Sequence, residues 1–228
     1  MLSSINRDTL MGVSIKIISY SLVIFREMIE VFMTLKNTDT DYGTIAKWIH
    51  WITAILFLAA YMSVYYRHWF TEAKTSENWT ALQLHLSFGV SIMVVVLLRL
   101  LWRAMNKPPA PEPGTKVEHL AAHAGHYALY AIMIIAPVTG YIGTGANTEF
   151  FFLLEIPKFE DTALFQYFVL DGLGLTFKEF EKPIDFIHKD ILGAWLIWLL
   201  IAGHVVAALF HHYVKKDRTL KKMTSSAP

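Results

Sequence analysis

The chain has 228 residues, 54% of them hydrophobic and 17% charged, with a net charge of +1 at pH 7 and no cysteine, and its mean hydropathy is +0.40. It is more apolar and less charged than soluble domains usually are, and its near-neutral balance gives no sign of a nucleic-acid partner. The absence of cysteine excludes disulfides, thiolate-held iron–sulfur clusters and Cys-ligated haem, which leaves ten histidines as the metal or haem ligands to consider.

Residues 1–40 read as an N-terminal extension. Arg7, Asp8, Lys16, Arg26, Glu27 and Glu30 interrupt its apolar character. The longest clean piece, residues 17–25, is too short to cross a bilayer, and no small-x-small cleavage site follows it. The extension is expected to be an interfacial helix or a stretch upstream of a start at Met33. Residues 41–223 carry four long apolar runs and form the membrane domain, and residues 224–228 are a C-terminal tail.

The first span is predicted over residues 46–66, with His50 near its beginning. The second, residues 81–102, opens with His85 and closes on Arg99 and Arg103. The Pro-rich stretch KPPAPEPG at residues 107–114 cannot continue a helix and reads as an extended loop. A third span covers residues 123–144, starts HAGHYALY, and is interrupted by Pro137 and Gly140. The connection over residues 145–187 mixes aromatics with acids, and a loop of that length is expected to form one or two short amphipathic helices on the membrane surface. The fourth span, residues 191–213, has His188 at its mouth, His204 deep inside and His211-His212 at its far end. The basic tail (Lys215, Lys216, Arg218, Lys221, Lys222) reads as a topology signal and a contact for anionic lipid.

Lysine and arginine gather before the first span, around the Pro-rich loop and in the tail, which places both termini in the cytoplasm. The expected fold is an all-α, four-helix transmembrane bundle, N-in and C-in. His50 and His204 then lie towards the cytoplasm, and His85 and His188 towards the outside. Ionisable residues within a span are costly and count as functional candidates. Nothing between residues 191 and 210 offsets a buried imidazole at His204, whereas a bound metal would. Two histidine pairs at two depths suit two haems in a bundle core, each with both axial positions filled by imidazole. His68 and His119 read as interfacial residues, and His123 and His126 as makers of interhelical hydrogen bonds or propionate contacts.

The order WIHW, LHLSFG…LLRLLWR, HAGHYALY and GHVVAALFHHYVKKDRTLKKM resembles the bacterial cytochrome b561 family over residues 44–223. The resemblance implies four transmembrane helices in the bacterial inner membrane and two haem b groups held by His50, His85, His188 and His204. It also implies electron exchange with membrane quinone, with His211 beside the cytoplasmic haem as the catalytic residue at the quinone site. The family's best-understood activity, superoxide oxidase, passes electrons from superoxide at the outer face to ubiquinone. The alternative is a haem-bearing membrane-anchor subunit that takes electrons from a partner dehydrogenase or a soluble cytochrome.

Two features depart from that pattern. The family's two fourth-helix ligands sit about fourteen positions apart, whereas His188 and His204 are sixteen apart, a rotation of ~160° on an ideal helix. Either an irregular first turn or a π-bulge realigns His188, or His68, which shares a helix face with His50, takes its place. The outer connection is also acidic, which suits a cationic donor at least as well as the superoxide anion.

Overall fold

The computed structural model describes residues 34–225; the expected helix or upstream stretch lies, through residue 33, outside the described residues. Among the described residues four helices are long and apolar enough to cross a membrane: α1 Thr44–Phe70, α2 Ser76–Met105, α3 Lys116–Gly143 and α4 Phe177–Lys215. Each is longer than its apolar run because polar residues extend it into the interface. Thr75 caps α2 by accepting from the Asn78 N–H at 3.2 Å. At α3, Thr115 accepts from the Glu118 N–H at 3.2 Å while the Glu118 carboxylate accepts from the Thr115 N–H at 2.8 Å. That reciprocal arrangement satisfies two backbone donors that a helix start otherwise leaves unpaired.

The fourth helix differs most from expectation. It starts at Phe177, where Glu179 accepts from the Thr176 N–H at 2.9 Å, and its first turns are the charged segment FKEFEKPID rather than the apolar run. It is π-helical over Phe186–Leu196, α-helical over Ile197–Phe210, and π-helical again over His211–Lys215.

The helices pack in sequence, α1 on α2, α2 on α3 and α3 on α4, while α4 makes few close backbone approaches to α1 or α2. One core cluster joins Ala60, Ile92, Val96 and Met133, and a second joins Ile132, Ala136, Leu192 and Ile197. Outward-facing Ile55, Leu58, Val94, Leu97, Leu101, Leu199 and Val206 are exposed. For a membrane bundle such side chains face hydrocarbon, so their exposure needs no other partner.

The outer connection does not begin with the expected surface helix. Strands β1 Thr148–Phe150 and β2 Leu154–Ile156 form an antiparallel hairpin in the register Thr148↔Ile156, Glu149↔Glu155 and Phe150↔Leu154. A 3-10 turn and a short π-helix, Phe165–Asp171, follow it. The hairpin is pinned to α2 by two fully buried polar side chains. Gln83 donates to the Asn147 carbonyl (3.0 Å) and accepts from the Glu149 N–H (2.7 Å), and Ser87 accepts from the Phe151 N–H (2.9 Å). Phe151 and Phe152 at its tip have φ of +45° and +61°, a region non-glycine residues rarely occupy. The Ser87 bond and the edge-on contact of Phe151 with Phe88 (5.5 Å) hold that turn.

The basic tail is mostly neutralised by protein rather than left for lipid. Arg218 donates to both carboxylate oxygens of buried Asp41 (2.9 and 3.2 Å). Lys222 pairs with Glu112 (2.6 Å) and donates to the Ala110 carbonyl (2.8 Å). The tail therefore folds back across the end of the bundle where α1 begins, and Trp51 Nε1 donates to the Met223 carbonyl at 3.1 Å.

Candidate functional site

Two pairs of imidazoles face each other across the bundle. In the outer pair, His85 on α2 and His188 on α4 have ring centroids 6.2 Å apart with planes at 70°. In the inner pair, His50 on α1 and His204 on α4 are also 6.2 Å apart, at 59°. His85 is bonded to the carbonyl of Ala60, ten residues along α1 from His50, which separates the two levels by ~15 Å at 1.5 Å per residue.

Hydrogen bonds set which nitrogen of the outer rings is available. His85 Nδ1 lies 2.9 Å from the Ala60 carbonyl, which only accepts, so Nδ1 carries the hydrogen and Nε2 has its lone pair free. His188 Nδ1 lies 3.2 Å from Thr139 Oγ1. The Thr139 hydroxyl spends its one hydrogen on the carbonyls of Ile135 (2.7 Å) and Ala136 (3.0 Å), so it accepts from His188 Nδ1 and frees Nε2 in the same way. Outer-partner bonds of this kind orient metal-binding imidazoles. Gly140 leaves the space for the ring, since a Cβ there would stand 2.9 Å from His188 Cε1.

The π-helical stretch explains how His188 reaches this position. A π-helix closes i→i+5 bonds and so uses more residues per turn than an α-helix. Over Phe186–Leu196 the wider turns absorb the surplus spacing, and His188 and His204 both face inward. His68 is exposed near the C-terminal end of α1.

At the inner level there is a third imidazole that the sequence reading passed over as a ligand. His126 on α3 stands 6.0 Å from His204, and its Nδ1 bonds the Ala122 carbonyl at 2.7 Å. The α3 and α4 backbones lie close together, whereas α1 and α4 meet chiefly through side chains, with the Tyr61 hydroxyl donating to the Gly193 carbonyl at 3.0 Å. His50 Nδ1 is buried without a hydrogen-bond partner among the described residues, an expensive state for a polar atom. Nearby, Arg99 donates from Nε to the Tyr130 hydroxyl at 3.3 Å, and the Arg99 and Arg103 guanidiniums lie 5.4 and 5.6 Å from the Tyr130 ring centre. Neither has an acidic partner among the described residues.

These residues fit a haem. With metal–nitrogen bonds of about 2.0–2.1 Å and ring centres roughly one ångström behind the donor nitrogens, two imidazoles on opposite sides of one metal have centroids about 6.2 Å apart. Both pairs have that separation. No group of three or more His, Cys, Asp or Glu among the described residues could cage a bare metal ion. His211, seven residues beyond His204, bonds Asp217 through Nδ1 at 2.5 Å at the C-terminal end of α4.

The sequence compares with known proteins over the same region. The family described as prokaryotic cytochrome b561 matches residues 41–226. Cytochrome b561 homolog 2 of Escherichia coli (strain K12) is 31% identical over 197 residues, covering 84% of this chain and 95% of that protein. The probable superoxide oxidase CybB of Yersinia pestis is 28% identical, covering 80% of this chain and 94% of its own. Cytochrome b561 homolog 1 of Escherichia coli (strain K12) is 27% identical, covering 77% and 92%. The chain therefore belongs to the prokaryotic cytochrome b561 family, the membrane-spanning electron-transfer proteins of b-type haem.

Proposed function

We propose that this protein carries electrons across the bacterial inner membrane by way of two b-type haems, taking them from superoxide at the outer face and delivering them to ubiquinone near the cytoplasmic face. The observation that carries the reading is the repeated 6.2 Å separation of two imidazole pairs at two depths. His85 and His188 hold the outer haem and His50 and His204 the inner one. Held there, the haems would supply one-electron oxidation and reduction.

The chain's own residues do the rest. Ala60 and Thr139 fix the outer imidazoles with Nε2 inward, and the apolar clusters of the bundle exclude water. Arg99 and Arg103, with no acidic partner among the described residues, supply positive charge beside the inner level, suited to the carboxylates of a haem edge. His211 is the residue placed to hold and pass a proton at the inner face, where a quinone carbonyl needs one as it is reduced.

The likeness to a probable superoxide oxidase supports superoxide as the donor. A second reading is favoured by the outer surface. A cleft of about 410 Å³ there is lined by Glu149, Glu155 and Asp161 against Lys158, an acidic collar that suits a cationic protein donor feeding a haem-bearing membrane subunit.

The haem assignment is tested by a reduced-minus-oxidised spectrum and a haem-to-protein ratio. Two haems per chain are expected, and His204→Leu should fall to one. Full haem content in that variant would overturn the inner pair.

A further inference from the structure

His211 lies ~10 Å beyond His204 along α4, at seven residues of 1.5 Å rise. The helix ends at Lys216, whose left-handed backbone (φ +55°, ψ +29°) reverses the chain. The Asp217 N–H then donates to the His211 carbonyl at 3.2 Å, so the reversal is anchored on His211 itself. It brings the Asp217 carboxylate onto the same residue's side chain, with Oδ2 at 2.5 Å from Nδ1. The other carboxylate oxygen accepts from the Thr219 N–H at 2.9 Å, and Thr219 Oγ1 stands 3.4 Å from Nδ1. The Asp217 side chain is only 13% exposed.

The neighbouring cations are engaged elsewhere: Lys215 with Glu118, and Arg218 with Asp41. The imidazole is therefore the group that faces this carboxylate. Burial pushes the Asp217 carboxyl up, but the hydrogen bonds from His211 and Thr219 outweigh it and hold the group below its ordinary value. An ionised carboxylate only accepts, so His211 Nδ1 carries a hydrogen, and Nε2 is the nitrogen left for exchange.

We propose that Asp217 is a positioning residue for the quinone step: it fixes His211 with Nδ1–H bound, so that Nε2 alone passes protons to the quinone carbonyl. This rests on the quinone role of His211 given above. Each proton delivered breaks the Nε2–H bond and forms an O–H bond on the quinone, leaving a neutral ring with its Nδ1–H still on Asp217. Water at the cytoplasmic boundary then restores the Nε2 proton. Two such deliveries, with the two electrons that the family's electron transfer supplies, convert quinone to quinol. Carboxylate-held imidazoles are a recurring way to fix a tautomer for proton transfer.

The test is stopped-flow reoxidation of the reduced holoprotein by a soluble short-chain ubiquinone. Asp217→Asn is expected to slow the maximal rate roughly 10- to 100-fold, the scale of a positioned acid–base group, with haem content and half-saturating quinone unchanged. Asp217→Glu should recover part of the rate. In a His211→Gln background Asp217→Asn should add nothing, because groups acting as one unit are non-additive. Equal slowing by Asp217→Asn with and without His211 would overturn the proposal and leave Asp217 a support of the turn. If His211→Gln is slow and Asp217→Asn is not, the proposal alone falls. If His211→Gln is itself unaffected, the quinone role of His211 falls and takes the proposal with it.

Discussion

At the scale of single residues, His188 shows how little room a ligand site leaves. Its ring is held by Thr139 on one edge, and a methyl group at Gly140 would come within 2.9 Å of Cε1 and 3.4 Å of both nitrogens. A ring atom cannot swing away as the end of a flexible side chain can, so Gly140→Ala must displace the imidazole. Overpacking of this kind costs roughly 1–3 kcal/mol. The expected outcome is loss or spectral alteration of the outer haem with the inner one intact, seen as a change in one of two sets of low-spin signals. An unchanged spectrum would show that the ring yields without losing its position. Tyr42, just before α1, gives a second residue-scale prediction. Burial holds its phenol above the ordinary value of 10.0 although Arg103 and Arg99 pull the other way. The folded protein thus keeps this proton at pH values where the unfolded chain has lost it. Its contribution to stability is complete below about pH 10 and falls as pH rises beyond it. Tyr42→Phe should flatten the alkaline limb of a melting-temperature profile, and a limb that persists would belong to another group.

Much of this residue-level site was legible in the sequence because imidazoles in apolar runs have few inexpensive explanations. His50, His85 and His204 stood out for that reason. Gly140 and Thr139 did not, since their value lies in contacts with a helix nearly fifty residues away. His126 was read as a maker of interhelical hydrogen bonds or propionate contacts; its Nδ1 instead bonds its own helix at Ala122, and its ring reaches His204.

At the scale of elements, α4 carries the argument. Sixteen positions separate its two inward histidines, which an ideal α-helix would place on nearly opposite faces. The π-helical turns over Phe186–Leu196 bring them back to one side. Register then has a direct test. Deleting Ala194 and Trp195, both exposed on α4, leaves fourteen positions, which a regular α-helix aligns within about 40°. That variant should keep two haems, whereas deleting Trp195 alone should rotate His188 by up to ~100° and lose the outer one. Equal haem loss in both variants would show that the π-helical turns matter for something other than alignment. The sequence reading offered a π-bulge as one way out of the spacing problem, but nothing in FIHKDILGAWL distinguishes π from α turns, because the choice is made by packing. The hairpin was hidden for a related reason. Its tip is Phe151-Phe152 rather than Asn-Gly or Asp-Gly, the usual mark of a tight turn, and its stability comes from Gln83 and Ser87 on α2.

At the scale of the whole molecule, charge is distributed unevenly between the two faces, and the two proposed donors respond to it in opposite ways. The side of the bundle that carries the tail is closed by ion pairs, Arg218 with Asp41, Lys222 with Glu112 and Lys215 with Glu118. The tail therefore acts as a clasp on the bundle, which its basic composition alone did not reveal. The outer side instead presents Glu149, Glu155 and Asp161 around one cleft with Lys158, and Lys158 is bound to Glu160 at 2.6 Å. Superoxide approaching that surface is repelled and a basic protein is attracted, and both effects are screened over ~8–10 Å at physiological ionic strength. The two donors therefore predict salt dependences of opposite sign. If superoxide is the donor, stopped-flow reduction of the haems should speed up as salt rises, and Glu149→Gln with Glu155→Gln should speed it at low salt. If the donor is a cationic cytochrome, reduction should slow with salt and the same substitutions should weaken it, by up to roughly tenfold at low ionic strength. Reduction by superoxide that is absent at every ionic strength would remove it as donor and leave the membrane-subunit reading, with its attraction to basic partners, as the one consistent with the outer face.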